Sequence, residues 1–423
     1  MNTFVQKLTL LFSDPQMRGR LFFVLGALAL SRVLAAVPIP GIDAVQLELF
    51  LSNNQFFGLL NLFSGGGLSG LSLVMLGVGP YITASIVMQL LTLMIPRFKQ
   101  MYQEEGEAGR IRFSMISRYL TLPLAVVQGI AFLSILSQQG ILPNLSTVGF
   151  LTNLIVIVAG SILLMWIGEL ISEYGMGNGV SLIIFAGIVA GLPTALSQTV
   201  FGFDAAQIPT YLAFVVAGLA VIASVVFITE SERPVPVTYA KRVRGMKFFG
   251  GASTYLPLRL NQAGVIPIIF AISFLLMPQM VATFLASSGN PTFVAVSTSI
   301  NAWMSNLVLY GAVYFILVFF FTYFYTAVTF DPHQISENLQ KNGAFIPGVR
   351  PGPSTAQYLA SVITRITFVG ALFLAGVAVL PIVAQSLTGI QTIALGGTAL
   401  LIVVSVVLDL SRRIDAQISI REY

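Results

Sequence analysis

A chain of 423 residues that is 56% hydrophobic and only 9% charged is not a soluble globular protein, in which about a quarter of residues carry charge. Its apolar runs, continuous over about twenty residues, have the length of helices that cross a bilayer and exclude an outer-membrane barrel, whose short strands alternate apolar and polar positions. The formal net charge is +5, and the absence of cysteine excludes disulfides, thiolate metal sites and cysteine nucleophiles.

In chain order, residues 1–20 hold a short amphipathic stretch and then Arg18 and Arg20, with no cleavage-site pattern, which predicts an interfacial cytoplasmic segment. Spanning stretches follow near 21–37, 73–95, 119–137, 151–171, 180–200, 208–228, 261–285, 303–329, 361–382 and 393–410, about ten in all. Between the first two lies an unlike piece, 56–70, too short for a hydrocarbon core of about 30 Å and loosened by Gly65, Gly66 and Gly67. It is expected to be a short re-entrant helix. Such broken elements persist at membrane depth only where protein or water surrounds them, so this one belongs inside a bundle, lining a cavity. Pro80, near the start of the second stretch, marks a kink or a junction.

Basic residues set the orientation. Lys7, Arg18 and Arg20 precede the first span, and Arg97, Lys99, Arg110, Arg112 and Arg118 follow the second. Arg233, Lys241, Arg242, Arg244, Lys247 and Arg259 lie between the sixth and seventh, Lys341 and Arg350 between the eighth and ninth, and Arg412, Arg413 and Arg421 after the tenth. All fall on one face, whereas the opposite loops, near 38–55, 138–150, 201–207, 286–302 and 383–392, have no Lys or Arg. The positive-inside rule then places both termini in the cytoplasm. Arg32, toward the outer end of the first span, stands outside this pattern and is expected to snorkel or to pair.

The middles of the spans lack Asp, Glu, Lys and His, groups that ion-coupled transporters and proton relays place there, which argues against coupled small-solute transport. The sole histidine, His333, is in a loop, so neither a histidine-pair zinc site nor HExxH exists. No intramembrane base activates a serine, and no intramembrane aspartate pair is available. The chain is therefore read as a non-enzyme without metal or cofactor. The run GMGNG, Gly175 to Gly179, lacks the Lys-Ser/Thr of a phosphate loop and is read as a tight turn. The loops 229–260 and 330–360 are long enough to act as docking surfaces. The basic run Tyr239 to Lys247 has two readings, a solvated topology signal or a patch for an acidic partner. In Gly343 to Gly352, prolines and glycines stiffen a loop that presents Arg350.

The runs PIPGID (Pro38 to Asp43), NLFSGGGLS (Asn61 to Ser69), GPYITASI (Gly79 to Ile86), EGEAGR (Glu105 to Arg110), GVSLIIFAGIVAGLP (Gly179 to Pro193), LPLRLNQAGVIP (Leu256 to Pro267), KNGAFIPGVRPG (Lys341 to Gly352) and GGTALLIVV (Gly396 to Val404) occur in one order along nearly the whole chain. In these the chain resembles the SecY family, the channel subunits of the bacterial Sec protein translocase.

The resemblance implies an all-α polytopic fold. Its N-terminal half is 21–200 (spans 1–5), its inverted C-terminal half 201–410 (spans 6–10), and 411–423 form a cytoplasmic tail. It further implies that 56–70 is the plug, with Phe63, Ser64, Gly65, Gly66, Gly67 and Leu68. By motif position the pore ring falls on Val78, Ile82, Val180, Ile184, Ile269 and Ile402, the lateral gate between spans 2 and 7 on Gln89 and Asn261, where an interhelical hydrogen bond would hold the closed state, and motor or ribosome docking on Lys241, Arg242, Arg244, Lys247 and Arg350. Gly70 departs from the family, where many members carry Arg.

The implied partners are SecE-like and SecG-like small membrane subunits, the SecA motor ATPase, the ribosome, signal sequences and nascent polypeptides, in the lipid bilayer of the bacterial cytoplasmic membrane. The implied function is a passive channel that passes unfolded secretory polypeptides across that membrane and releases transmembrane segments sideways into it. A solute transporter would need polar ligands at the midplane. An insertase without a continuous pore is separated by asking whether soluble polypeptide crosses.

Overall fold

In the computed structural model of the protein the described residues are 14–39, 71–138, 142, 146–201, 208–239, 242–244, 247–249, 253–286, 290–388 and 391–421. In chain order they form α1 (Pro15–Ala36), α2 (Gly79–Met94), α3 (Pro96–Gln103), α4 (Gly106–Gln138), α5 (Thr147–Tyr174), α6 (Gly179–Phe201) and α7 (Ile208–Glu230). Then come β1 (Glu232–Tyr239), β2 (Arg242–Arg244), β3 (Lys247–Phe249), β4 (Ser253–Arg259), α8 (Ile266–Ala286), α9 (Pro291–Ser305), α10 (Leu307–Thr329), α11 (Pro332–Lys341), β5 (Ala344–Phe345), α12 (Pro353–Thr388) and α13 (Gln391–Arg421). Each predicted spanning stretch falls on a helix.

Among the described residues, five stretches are long and apolar enough to cross a membrane by themselves: Pro15–Ala36, Gly106–Ser137, Thr147–Tyr174, Leu307–Lys341 and Pro353–Ala384. Gly79–Thr92 with Pro96–Tyr102 qualifies only as a pair bent by 111°. Shorter apolar stretches lie in α6, α7 and α8, so the helix set is consistent with ten spans. At 1.5 Å per residue, α4 and α12 are about 50 Å long, more than the hydrocarbon core, and must project from it.

Three boundaries depart from the sequence expectation. The second span begins at Gly79 rather than near residue 73, because Gly77 adopts φ +57° and breaks the preceding turns, while Pro80 occupies the first helical turn, where its missing N–H costs nothing. The eighth begins at Leu307, because Asn306 ends α9 and its side chain accepts from the Leu309 N–H to start α10. The 229–260 loop is ordered as sheet: β1 pairs with β4 and also with β5 from the 330–360 loop, in the order β4-β1-β5, while β2 and β3 form a separate hairpin.

One apolar core includes Val78 and Ile82 of the α2 start, Leu164 of α5, Ile184 of α6, Ile269 of α8, Val318 of α10, Leu374 of α12 and Ile402 of α13. A second seats Val235, Val237 and Leu258 of the sheet on Leu359, Val362 and Ile363 of α12. Met17, Met176 and Ile418 form a small buried cluster that brings α1 and the end of α13 together, so both ends of the described chain lie at one end of the bundle. Where backbones meet most closely glycine is required: a β-carbon on Gly179 would collide with the Gly168 carbonyl of α5, and one on Gly370 of α12 with the Leu260 carbonyl just before α8.

Candidate functional site

The site is a cavity of about 500 Å³ walled by α2, α4, α5, α6, α8 and α10. On α2, Ile82, Ser85 and Gln89 face it together because i, i+3 and i+7 share one side of a helix. The α6 wall is set by its cap: Asn178 Oδ1 accepts from the N–H groups of Val180 (3.1 Å) and Ser181 (3.3 Å), and Ser172 Oγ accepts from the Gly179 N–H (2.8 Å). With the start of α6 held this way, Val180 and Ile184 project one turn apart into the same space. Ile266, Ile269 and Phe270 come from the first turns of α8, after a bend at Gly264 with φ +63°.

Of the six ring positions, Ile82, Val180, Ile184 and Ile269 meet on this cavity wall. Val78 and Ile402 belong to the adjoining core and do not line the cavity. Val78, Ile82, Ile184, Ile269 and Ile402 are each at most 8% exposed, and Val180 is half-buried against the same core. Ile266 and Phe270 extend the apolar wall, and the rest is largely polar and includes an ion pair, Arg118 Nε to Glu169 Oε1 at 2.6 Å, that joins α4 to α5. The sequence reading did not single this pair out, since no spacing rule connects residues on different helices.

Helices α2 and α8 touch, but Asn261 lies before α8, and no hydrogen bond links it to Gln89. Asn261 Nδ2 donates to the Gly264 carbonyl at 3.2 Å, bracing the bend before α8. The side-chain carbonyl oxygens of Gln89 and Asn261 are buried without a partner. The expected bond across the gate is therefore not made.

The plug residues Phe63, Ser64, Gly65, Gly66, Gly67 and Leu68 lie outside the described residues, as does Lys241. The flanks of 40–70 are described, and they are pinned together: Ile39 N–H donates to the Leu71 carbonyl at 2.9 Å and Leu73 N–H to Val37 at 3.0 Å, around a Pro38–Ser72 bridge.

Arg242, Arg244 and Lys247 are on the β2–β3 hairpin. Arg350 is exposed on a turn between Gly348 (φ +84°) and Gly352 (φ +98°), a left-handed backbone that favours glycine. The turn is tied down by Thr355 Oγ1, which donates to the Arg350 carbonyl (2.9 Å), and by buried Ser336 Oγ, which donates to the Gly352 carbonyl (2.7 Å). Through β1–β5 pairing the loops 229–260 and 330–360 share one sheet. The period-two burial of Val235 and Val237 in ERPVPVTY was the signal for it. Arg412 makes a further tie, reaching from α13 to Glu230 Oε1 (2.8 Å) and the Thr229 carbonyl (2.5 Å) at the end of α7. Among the described residues no group of three or more His, Cys, Asp or Glu could hold a metal ion.

An apolar helical bundle around a cavity lined on one side by branched aliphatic side chains, with a β-sheet and a basic hairpin outside it, defines a polytopic membrane protein of the channel-forming class. The sequence model described as SecY matches residues 72–411. The chain belongs to the SecY family. It is 40% identical over 429 residues to protein translocase subunit SecY of Streptomyces scabiei, covering 97% of both chains, and 40% identical over 418 residues to that of Synechocystis, covering 96% of this chain and 93% of the other. Among solved structures the fold resembles a protein-conducting channel (TM-score 0.65, 19% identity, 93% of this chain and 91% of that one). It also resembles Sec61 in the canine ribosome-channel complex from the endoplasmic reticulum (TM-score 0.61, 18% identity, 93% and 91%).

Proposed function

We propose that this chain is the central subunit of a protein-conducting channel in the bacterial cytoplasmic membrane, with both termini cytoplasmic. Unfolded secretory polypeptides cross through it, and transmembrane segments leave sideways between α2 and α8. The observation that carries this reading is the meeting of Ile82, Val180, Ile184 and Ile269, from three helices, at one wall of the cavity. Branched aliphatic side chains offer a passing chain no fixed polar partner, and a narrow apolar constriction resists water and ions. That suits a substrate of arbitrary sequence. Val78 and Ile402 complete the ring from the adjoining core, and residues 56–70 act as its plug.

Two halves, 21–200 and 201–410, open about this constriction. The pore is passive and catalyses no bond chemistry, so a partner drives transport. The sheet, the β2–β3 hairpin and the Arg350 turn form the docking face for the ribosome or the SecA motor, supported by membership of the family and by the likeness to Sec61 in a ribosome-channel complex. SecE-like and SecG-like subunits pack around the bundle. The test is reconstitution of the chain with these subunits in vesicles, with the motor and a secretory precursor. Protease-protected soluble passenger is expected. Insertion of apolar segments without passage of soluble polypeptide would replace the channel by an insertase.

A further inference from the structure

Of the short helices outside the predicted spans, α9 and α11 differ in surface chemistry. Helix α11, beside the sheet, is polar, with His333, an exposed Glu337–Lys341 pair and an Asp331 cap. Helix α9, at the far end of α8 from the sheet, has no charged residue, and none occurs anywhere between Ala286 and Val308. It touches α8 and α10, yet Ser297 is its only residue classed as buried. Phe293 and Val296 are 46% and 45% exposed, and Ile300 and Trp303 continue the same face at i+7 and i+10. The opposite face carries Thr298, Asn301 and Ser305 together with Val294, all exposed.

In water this would be an unstable helix. Fifteen residues rich in Thr, Val and Ser, with no ion pair, fall near the limit at which isolated helices persist. What adjoins it explains the composition. Helix α9 packs on α8 and α10, which themselves expose Met277 and Val281, and Val308 and Leu309, apolar surface of the kind that faces lipid in a membrane-spanning bundle. Trp303 has the amphipathic ring that is enriched at the membrane–water boundary.

We propose that α9 is an interfacial helix seated in the lipid leaflet on the side remote from the sheet, with Phe293, Val296 and Trp303 toward the acyl chains and Thr298, Asn301 and Ser305 toward water. It tethers the far end of α8, one wall of the lateral gate, to the bilayer surface. This rests on the spanning fold and stands whether or not the pore conducts polypeptide.

The native chain has no cysteine, so single replacements F293C, V296C, T298C and N301C take a unique environment-sensitive fluorophore in the full chain, reconstituted with its membrane subunits. Labels at 293 and 296 are expected to emit to the blue and to be quenched about twofold or more by nitroxide-bearing lipids relative to those at 298 and 301, with aqueous iodide giving the reverse order. Equal quenching by iodide at all four positions overturns the proposal in favour of a helix standing in water. Protection of 293 and 296 from both quenchers overturns it in favour of a protein subunit or a second copy covering that face.

Discussion

The hydroxyl of Ser161 on α5 donates to the carbonyl oxygen of Gly77 at 2.9 Å, linking residues 84 apart in sequence, and both are buried. Gly77 is the left-handed residue that stops the turns before α2, so α5 holds the junction from which Val78 and Ile82 are displayed. One residue earlier, a β-carbon on Gly160 would collide with the Leu73 carbonyl. Ser161→Ala leaves a buried carbonyl unpaired and is expected to lower stability by about 1–3 kcal/mol. Gly160→Val is expected to cost at least as much through overpacking against backbone. Thermal unfolding in detergent checks both, and unchanged melting would show that the junction is not held by α5.

The ring prediction concerns Ile82 and Ile184, buried on the same cavity wall. Replacing both with Gly removes the branched side chains that exclude water, so the resting channel is expected to leak ions. Planar-bilayer conductance of the resting complex is the measurement, and conductance equal to the parent's would remove these residues from the constriction.

Arg350→Glu reverses a charge on an exposed, rigid turn. Exposed substitutions away from packing change stability by about 0.5 kcal/mol or less, so folding is expected to hold while motor or ribosome binding and transport fall together. Paired reversal of Arg242 and Arg244 should act in the same direction, less strongly. Normal binding at low salt would count against this face as the docking site. Gly352→Val gives a contrast, because a branched residue at φ +98° strains the turn itself.

For the gate the sign follows from the unpaired oxygens. On the proposal that this arrangement is the closed gate, Gln89→Leu removes a buried acceptor that has no partner and is expected to favour that state by about 1 kcal/mol, a shift of about fivefold in population. Asn261→Leu removes one too, but also the bond to Gly264, so its net effect is expected to be smaller. Weakly apolar signal sequences should then translocate less well in the Gln89 variant while strongly apolar ones are unaffected, since binding energy shifts a pre-existing equilibrium. Transport of one passenger behind signals of graded apolarity measures this. A uniform change along the series would place Gln89 outside the gate.

Much of this protein is set by properties local in sequence. Apolar length alone locates the helices, because lipid requires every backbone group of a span to be satisfied within its own helix. The expected orientation rests on Lys and Arg in the loops, by the same locality. The stiffness of the Arg350 turn was readable too, since Gly348 and Gly352 occupy backbone regions that other residues avoid.

What depends on two distant segments was decided only by tertiary structure. That β5 joins β1, that Arg118 pairs with Glu169, and that Arg412 reaches Glu230 follow from which helices are neighbours, and an apolar run does not encode its neighbour. The gate makes the same point. Gln89 and Asn261 were picked out as a pair, yet the bend at Gly264 captures the Asn261 amide, because a bond three residues away forms with less loss of chain freedom than one between two helices.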